Sequence, residues 1–311
     1  MRLAVIGAGA VGGYYGAMLA KAGVDVSFVA RGAHLAAIRA RGLRVVGPLG
    51  DFTVRTQAES EPASIGQVDA VVVAVKTYDN PTALPLIPPL IGPTTTVLTL
   101  QNGVDGAENL AALIGRAPVL AGATYIAAAI EGPGVIRQTG THRRVVFGEW
   151  FDPGAEISAR VQQLAAVMKT ADFQIEPVPD ARVPIWEKFV YLAPFAAVTG
   201  ASRLPFGPLW TDADGRAVFL RAVREVEALA RASGIGIAPD ITSRIERYAE
   251  ELPATTRSSL LIDLSQQKRI EVESLLGAVH RLGAHLNVPT PTMTAFYAAL
   301  KLHAAGGQGS G

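Results

Sequence analysis

The run PIWEKFVYLAPFAAV, residues 184–198, is apolar except for one Glu-Lys pair. On a helix, Trp186, Phe189, Val190 and Ala193 form one face, while Leu192, Phe195, Ala196 and Thr199 share the face of Lys188. Both faces are apolar, so the spacing predicts a buried helix and a lysine drawn out of water. Desolvation disfavours an ammonium and lowers its pKa, which yields a lysine that exchanges protons near neutrality. The plainer alternative is a stem lying along apolar surface with its charged end in water. A second constellation, Gly7-Ala8-Gly9-Ala10-Val11-Gly12, follows the β-type run RLAVI and precedes a helical segment reaching about Ala22. In that context Gly7 permits the tight turn, Gly9 lets backbone approach a pyrophosphate, and Gly12 lets helix pack on strand. The phosphate charge would sit at the helix N-terminus, over the amides of Ala10 and Val11. A tight strand-to-helix turn without a ligand would carry similar glycines.

The elements that would position these groups divide the chain in two. VDVSFVA, residues 24–30, is a second strand, and Ala30-Arg31-Gly32 stands where NAD-selective folds carry an acidic residue for the ribose 2′-hydroxyl. With no carboxylate there and an arginine able to clamp a phosphate, NADP(H) is expected over NAD(H), unless Arg31 is a solvated surface residue. VDAVVVAV, residues 68–75, is continuous rather than alternating, as a strand buried on both faces should be, and it runs into Lys76. Ligands of open α/β sheets bind beyond the carboxyl ends of strands, which directs Lys76 to the cofactor if it is more than a solvated loop lysine. Prolines at 81, 85, 88, 89 and 93 forbid a regular crossover helix, so short turns are expected there. TTTVLTL then runs into Gln101-Asn102-Gly103, a pair that also reads as a generic turn. Further β-type runs fall at 119–130 and 144–148. Beyond VPD, residues 178–180, the periods become helical, over 183–200, 213–234, 240–252, 257–268 and 271–286. Within these, Ser258 and Ser259 could be simple helix-start residues, and Glu271 an acid favoured in a first turn.

The fold class expected is therefore an α/β Rossmann-type N-terminal domain, 1–178, followed by an all-α C-terminal domain, 179–303, with 304–311 a disordered tail. A length of 311 residues accommodates two such domains, although one domain of this size is also known. The formal charge of +1, without a concentrated basic run, argues against nucleic-acid or membrane-surface partners and for a small molecule. The absence of cysteine excludes disulfides, thiolate metal sites and cysteine nucleophiles, and no metal site is expected. The glycines near the N-terminus argue against a signal peptide, and the apolar runs are too short to span a bilayer. A cytoplasmic protein is expected.

The glycine motif, VAR, VAVKTYD, LTLQNG, GPGVIRQTG, WEK and the run SSLLIDLSQQKRIEVESLLGAVHRLGAHLNVPTPT, in this order and spacing, resemble the ketopantoate reductase family. The resemblance extends from residue 1 to about 303 and implies NADPH-dependent reduction of a 2-oxo acid to a 2-hydroxy acid, with NADP+ as the oxidised cofactor. It makes Lys188 the catalytic lysine, able to stabilise the alkoxide-like oxygen and protonate it. It places Glu271 as an acid near the lysine and the substrate hydroxyl, and Ser259 as the residue holding the substrate carboxylate. Asp263, one turn later, lies on the face of Ser259. By the same implication Asn102 lies near cofactor and substrate, Lys76 near the cofactor, and Arg31 on the 2′-phosphate.

This sequence departs from the family at the fourth and eighth positions after the lysine, where asparagines are typical and Leu192 and Ala196 stand instead. Losing two polar anchors weakens discrimination for a substrate's hydroxyl or carboxylate. Pro194 denies the carbonyl of Val190 its helical donor and should kink the helix. Four expectations follow: a reductase of a more apolar 2-oxo acid or ketone, a ketopantoate reductase with the anchors supplied from elsewhere, a related dehydrogenase of a hydroxyacid or imine, and an NADP(H)-binding sensor without catalysis. A homodimer through the helical domain is left open.

Overall fold

The computed structural model describes residues 1–307 and divides into two compact units, Met1–Gln101 with Gly106–Ala181, and Asn102–Asp105 with Arg182 onward. Among the described residues, no helix is long and apolar enough to cross a membrane.

In the first unit the chain runs β1 (Arg2–Ile6), α1 (Ala10–Lys21), β2 (Asp25–Val29), α2 (Gly32–Arg41), β3 (Leu43–Val46), β4 (Phe52–Val54), β5 (Ala58–Glu59) and β6 (Val68–Val73). It continues through α3 (Asn80–Ala83), β7 (Ile91–Thr99), α4 (Gly106–Ile114), β8 (Val119–Gly132), β9 (Val135–Glu149), α5 (Ala159–Met168) and β10 (Gln174–Asp180). Strands β5-β2-β1-β6-β7-β8 lie side by side in parallel. That is the doubly wound order of a dinucleotide fold, and it brings the loops after β1, β2, β6 and β7 to one edge of the sheet. Strand β6 is central, apolar from Ala70 onward, with Val71 and Val73 fully buried. The long antiparallel pair β8–β9 then extends the sheet, carrying β3 on one stretch of β9 and β10 on another. The proline-rich segment resolves into 3₁₀ turns and the one-turn α3, since proline tolerates a first turn but supplies no donor to a longer helix.

In the second unit the helices are α6 (Arg182–Ser202), α7 (Phe206–Thr211), α8 (Ala213–Ala232), α9 (Ile241–Glu251), α10 (Ser259–Ser265), α11 (Ala278–Leu286) and α12 (Pro291–Leu300). A π-turn, Glu273–Gly277, leads into α11. Helix α6 is the central element, packing against α8, α10, α12 and the π-turn. Its Phe189, Val190, Ala193 and Ala196 are buried, and it continues unbroken through Pro194. The buried carboxylate of α8 Glu225 accepts the amides of Thr292 and Met293 at 2.9 Å each, capping the first turn of α12.

Three expected boundaries differ. The division expected after 178 falls after Ala181, because β10 continues to Asp180, and residues 102–105 join the helical unit. Helix α10 is shorter than 257–268 because Gln267 adopts a left-handed φ of 54°. Of the tail expected to be disordered, Ala304 accepts the amide of Ile270 at 3.2 Å and Gly307 donates to Gln267 at 3.0 Å, while residues 308–311 lie outside the described residues.

Candidate functional site

The glycine loop between β1 and α1 has the geometry a pyrophosphate requires. Gly7 holds φ +96°, and a Cβ there would lie 2.6 Å from Val75 Cγ1. At Gly12 a Cβ would lie 2.2 Å from the Gly7 carbonyl oxygen, so helix and turn close on each other only through glycine. Gly9 is different, since a Cβ there would meet nothing within 4 Å. Its missing side chain therefore serves no packing within the protein and leaves room against the backbone. Helix α1 has no side-chain cap and no acidic residue in its first turn, so the amides of Ala10, Val11 and Gly12 present the positive end of the helix to that room. These residues fit a dinucleotide pyrophosphate.

The surrounding loops are fastened by side chains. His34, in α2, accepts the Gly134 amide on Nδ1 at 3.1 Å, so Nε2 carries the proton donated to the Ala8 carbonyl at 2.7 Å. This clamp on the glycine loop is not visible in the sequence, where His34 is a lone polar residue. Gln101 Nε2 donates to Val75 O at 2.9 Å and Asn80 Oδ1 at 2.7 Å, joining the loops after β6 and β7. Lys76 begins the turn Thr77–Asp79 beyond β6 and is half-buried. Arg31 closes β2 and caps α2 from an extended backbone. The strand end itself carries no carboxylate, but another loop brings one to it, and Arg31 Nη2 donates to Asp79 Oδ2 at 2.9 Å. Sequence separation hid that partner.

In the helical unit, Lys188 Nζ donates to Asn102 Oδ1 at 2.9 Å. The lysine as a whole is half-buried, yet its surroundings are dense enough that desolvation lowers its pKa to about 8, against the opposing attraction of Glu271. Glu271 is buried, and its carbonyl accepts the Leu275 amide at 3.3 Å, which puts it immediately before the helical turns and not inside a first turn. Ser274, also buried, donates to the same carbonyl at 3.3 Å. The π-turn that follows widens the backbone next to these groups, a distortion often found at functional sites.

Asp105 belongs to this group and is absent from the residues expected from sequence. Its Oδ1 is buried with no hydrogen-bond partner among the described residues, and its Oδ2 lies 3.7 Å from Arg281. Burial raises the Asp105 pKa, with Glu271 adding to the rise and Arg281 opposing it. Its only sequence signal is its place three residues after Asn102. A carboxyl whose folded pKa is raised stabilises the fold below its unfolded pKa and loses that contribution as pH rises through the folded value. Asp105→Asn removes the charge and is expected to gain about 1 kcal/mol at pH 8 and less at pH 5, read as the difference in thermal midpoint from the parent chain. An equal change at both pH values would show that burial of this charge is not what destabilises the fold.

The remaining expected residues are placed less centrally. Ser258 is a structural cap, its Oγ accepting the Leu261 amide at 3.0 Å and bonding Thr199 Oγ1 at 2.7 Å. Ser259, the first residue of α10, is exposed, and Asp263 one turn later is half-buried. Leu192 is half-buried and Ala196 fully buried, one and two turns beyond Lys188. The structure thus brings Lys188, Asn102 and Glu271 into one interacting group.

The models of the ketopantoate reductase PanE/ApbA family match residues 3–151, and those of its C-terminal part match residues 180–304. The 2-dehydropantoate 2-reductase of Mesorhizobium japonicum is 32% identical, covering 97% of this chain and 97% of its own. A crystal structure of a PanE/ApbA family ketopantoate reductase from Ralstonia eutropha superposes with a TM-score of 0.88 at 34% identity, covering 98% of each chain. That of 2-dehydropantoate 2-reductase from Geobacter metallireducens gives 0.89 at 29% identity, covering 97% of this chain and 99% of the other. With both halves matched and the similarity running nearly end to end, the chain belongs to the ketopantoate reductase family and is an oxidoreductase.

Proposed function

We propose that the protein reduces a 2-oxo acid to a 2-hydroxy acid with NADPH, Lys188 acting as the general acid. The observation that carries this is the Lys188 ammonium, desolvated, held by Asn102 Oδ1 at 2.9 Å and attracted by the buried Glu271. When bound, the reduced nicotinamide supplies the hydride. As the carbonyl carbon accepts it, negative charge grows on the oxygen, and an ammonium already stripped of water stabilises that charge strongly and then gives up its proton. The hydride on carbon and the proton on oxygen complete the 2-hydroxy acid, leaving Lys188 neutral until solvent reprotonates it. Asn102 fixes the direction of the ammonium. Glu271 favours its protonated form, so the acid is loaded at neutral pH.

The glycine loop holds the pyrophosphate over the α1 amides, and Arg31, with 72% of its side chain exposed, is available to a 2′-phosphate. Ser259 holds the substrate carboxylate, with Asp263 on the same helix face. The relatives' names make ketopantoate the first substrate to test. Leu192 and Ala196 favour a second reading, in which the substrate is bulkier or more apolar, because two polar anchors are replaced by groups that cannot hydrogen-bond. Oxidation of NADPH at 340 nm, with ketopantoate beside bulkier 2-oxo acids, separates the two. Efficient turnover of ketopantoate supports the first reading and preference for a bulkier acid the second. Tight NADPH binding without turnover of any 2-oxo acid would contradict both.

A further inference from the structure

Arg31 and Asp79 are 48 residues apart in sequence yet form an ion pair, Nη2 donating to Oδ2 at 2.9 Å. The two partners are unequally held. The Arg31 side chain is 72% exposed, whereas that of Asp79 is 19% exposed. Asp79 ends the turn Thr77–Asp79, donates its amide to the Lys76 carbonyl at 2.8 Å, and accepts the Thr82 hydroxyl on its own carbonyl at 3.0 Å. The carboxylate is thus the fixed member and the guanidinium the looser one. Both stand beyond the carboxyl ends of parallel strands, Arg31 after β2 and Asp79 after β6, on the edge of the sheet where dinucleotides bind.

A guanidinium in this pair faces two possible anions. A 2′-phosphate on Arg31 would either displace a carboxylate that the turn keeps in place or share the guanidinium with it, and sharing sets like charges side by side. A ribose with a free 2′-hydroxyl meets no such conflict, because a hydroxyl donates to a carboxylate, the contact by which acidic residues select NAD(H). We propose that Asp79 is a second determinant of cofactor choice, competing with the 2′-phosphate for Arg31 and accepting the 2′-hydroxyl of NAD(H), so that it narrows the NADPH preference Arg31 creates. This rests on the proposed NADPH preference.

The test is direct binding, with no turnover involved. Dissociation constants for NADPH, NADH and adenosine 2′,5′-bisphosphate are measured by calorimetry on the full chain and on Arg31→Ala, Asp79→Asn and Asp79→Ala, with the thermal midpoint as the folding control. Arg31→Ala is expected to weaken NADPH and the bisphosphate about tenfold more than NADH. Both Asp79 variants are expected to raise the ratio of NADH to NADPH dissociation constants about fivefold, the size of an exposed ion pair. The bisphosphate should bind correspondingly tighter. If Arg31→Ala weakens both cofactors equally, the NADPH preference itself fails and this proposal falls with it. If Arg31→Ala behaves as expected but the Asp79 variants leave the ratio unchanged or lower it, Asp79 merely orders Arg31 and this proposal alone is overturned.

Discussion

Lys188→Ala is expected to lower kcat for 2-oxo acid reduction about 1000-fold, with NADPH affinity within about twofold of the parent chain. Loss of the proton donor and loss of the charge facing the alkoxide act together, since both belong to one ammonium. The affinity prediction follows from composition of the sites, because the glycine loop and Arg31 belong to the first unit and Lys188 to the helical one. Removing the lysine also leaves the buried Glu271 without that cation, so part of any loss could reflect disturbed folding. Lys188→Met keeps the apolar stem without the charge and serves as the companion variant. Both should retain a cooperative thermal transition and lose turnover alike, measured by single-turnover NADPH oxidation. A fall of less than tenfold in both would remove Lys188 from the proton-donor role.

The second large effect is structural. Gly12→Ala would place a methyl 2.2 Å from the Gly7 carbonyl oxygen, 2.8 Å from Val5 Cγ1 and 3.0 Å from Ala74 Cβ. None of these is the end of a flexible side chain, because two lie on or beside the central strands and the third is backbone. The expected cost is about 3 kcal/mol, seen as a thermal midpoint lower by roughly 6–12 °C, or as failure to accumulate folded protein. Gly9→Ala is its counterpart. With nothing within 4 Å of the added methyl, its midpoint should hold to about 1 °C while NADPH affinity falls at least about tenfold. If Gly9→Ala bound NADPH as the parent does, the room beside Gly9 would not be where the pyrophosphate sits.

Patterns strong in one element were legible in the sequence. The strand, glycine turn and helix at residues 2–22 are formed, and the non-alternating run at 68–75 supplies a central parallel strand, Val68–Val73. The two-faced apolar run around Lys188 is the central helix of the second unit. Strands β3, β4 and β5 escaped because two to four residues carry too little alternation to register. Strand β10 escaped for a different reason, since Pro177 and Pro179 argue against a strand. It pairs only with β9, so the missing donors fall on an edge where proline is tolerated. Helix α12 carries its signal in Thr290-Pro291, a proline at the first helical position. The π-turn and the pairing of Arg31 with Asp79 had no local signature, because each depends on groups brought together by the fold.

The most direct test of the central claim is the pH dependence of kcat/KM for ketopantoate reduction in the parent chain and in Glu271→Gln. A general acid works only while protonated, and burial holds the Lys188 pKa at about 8 despite the pull of Glu271. The parent profile should therefore be level below about pH 8 and fall tenfold per unit above it. Glu271 raises the lysine pKa, so neutralising it in Glu271→Gln should move that limb to lower pH. A limb that stays where it is in the variant, or a parent profile still level well above pH 9, would contradict Lys188 as the proton donor.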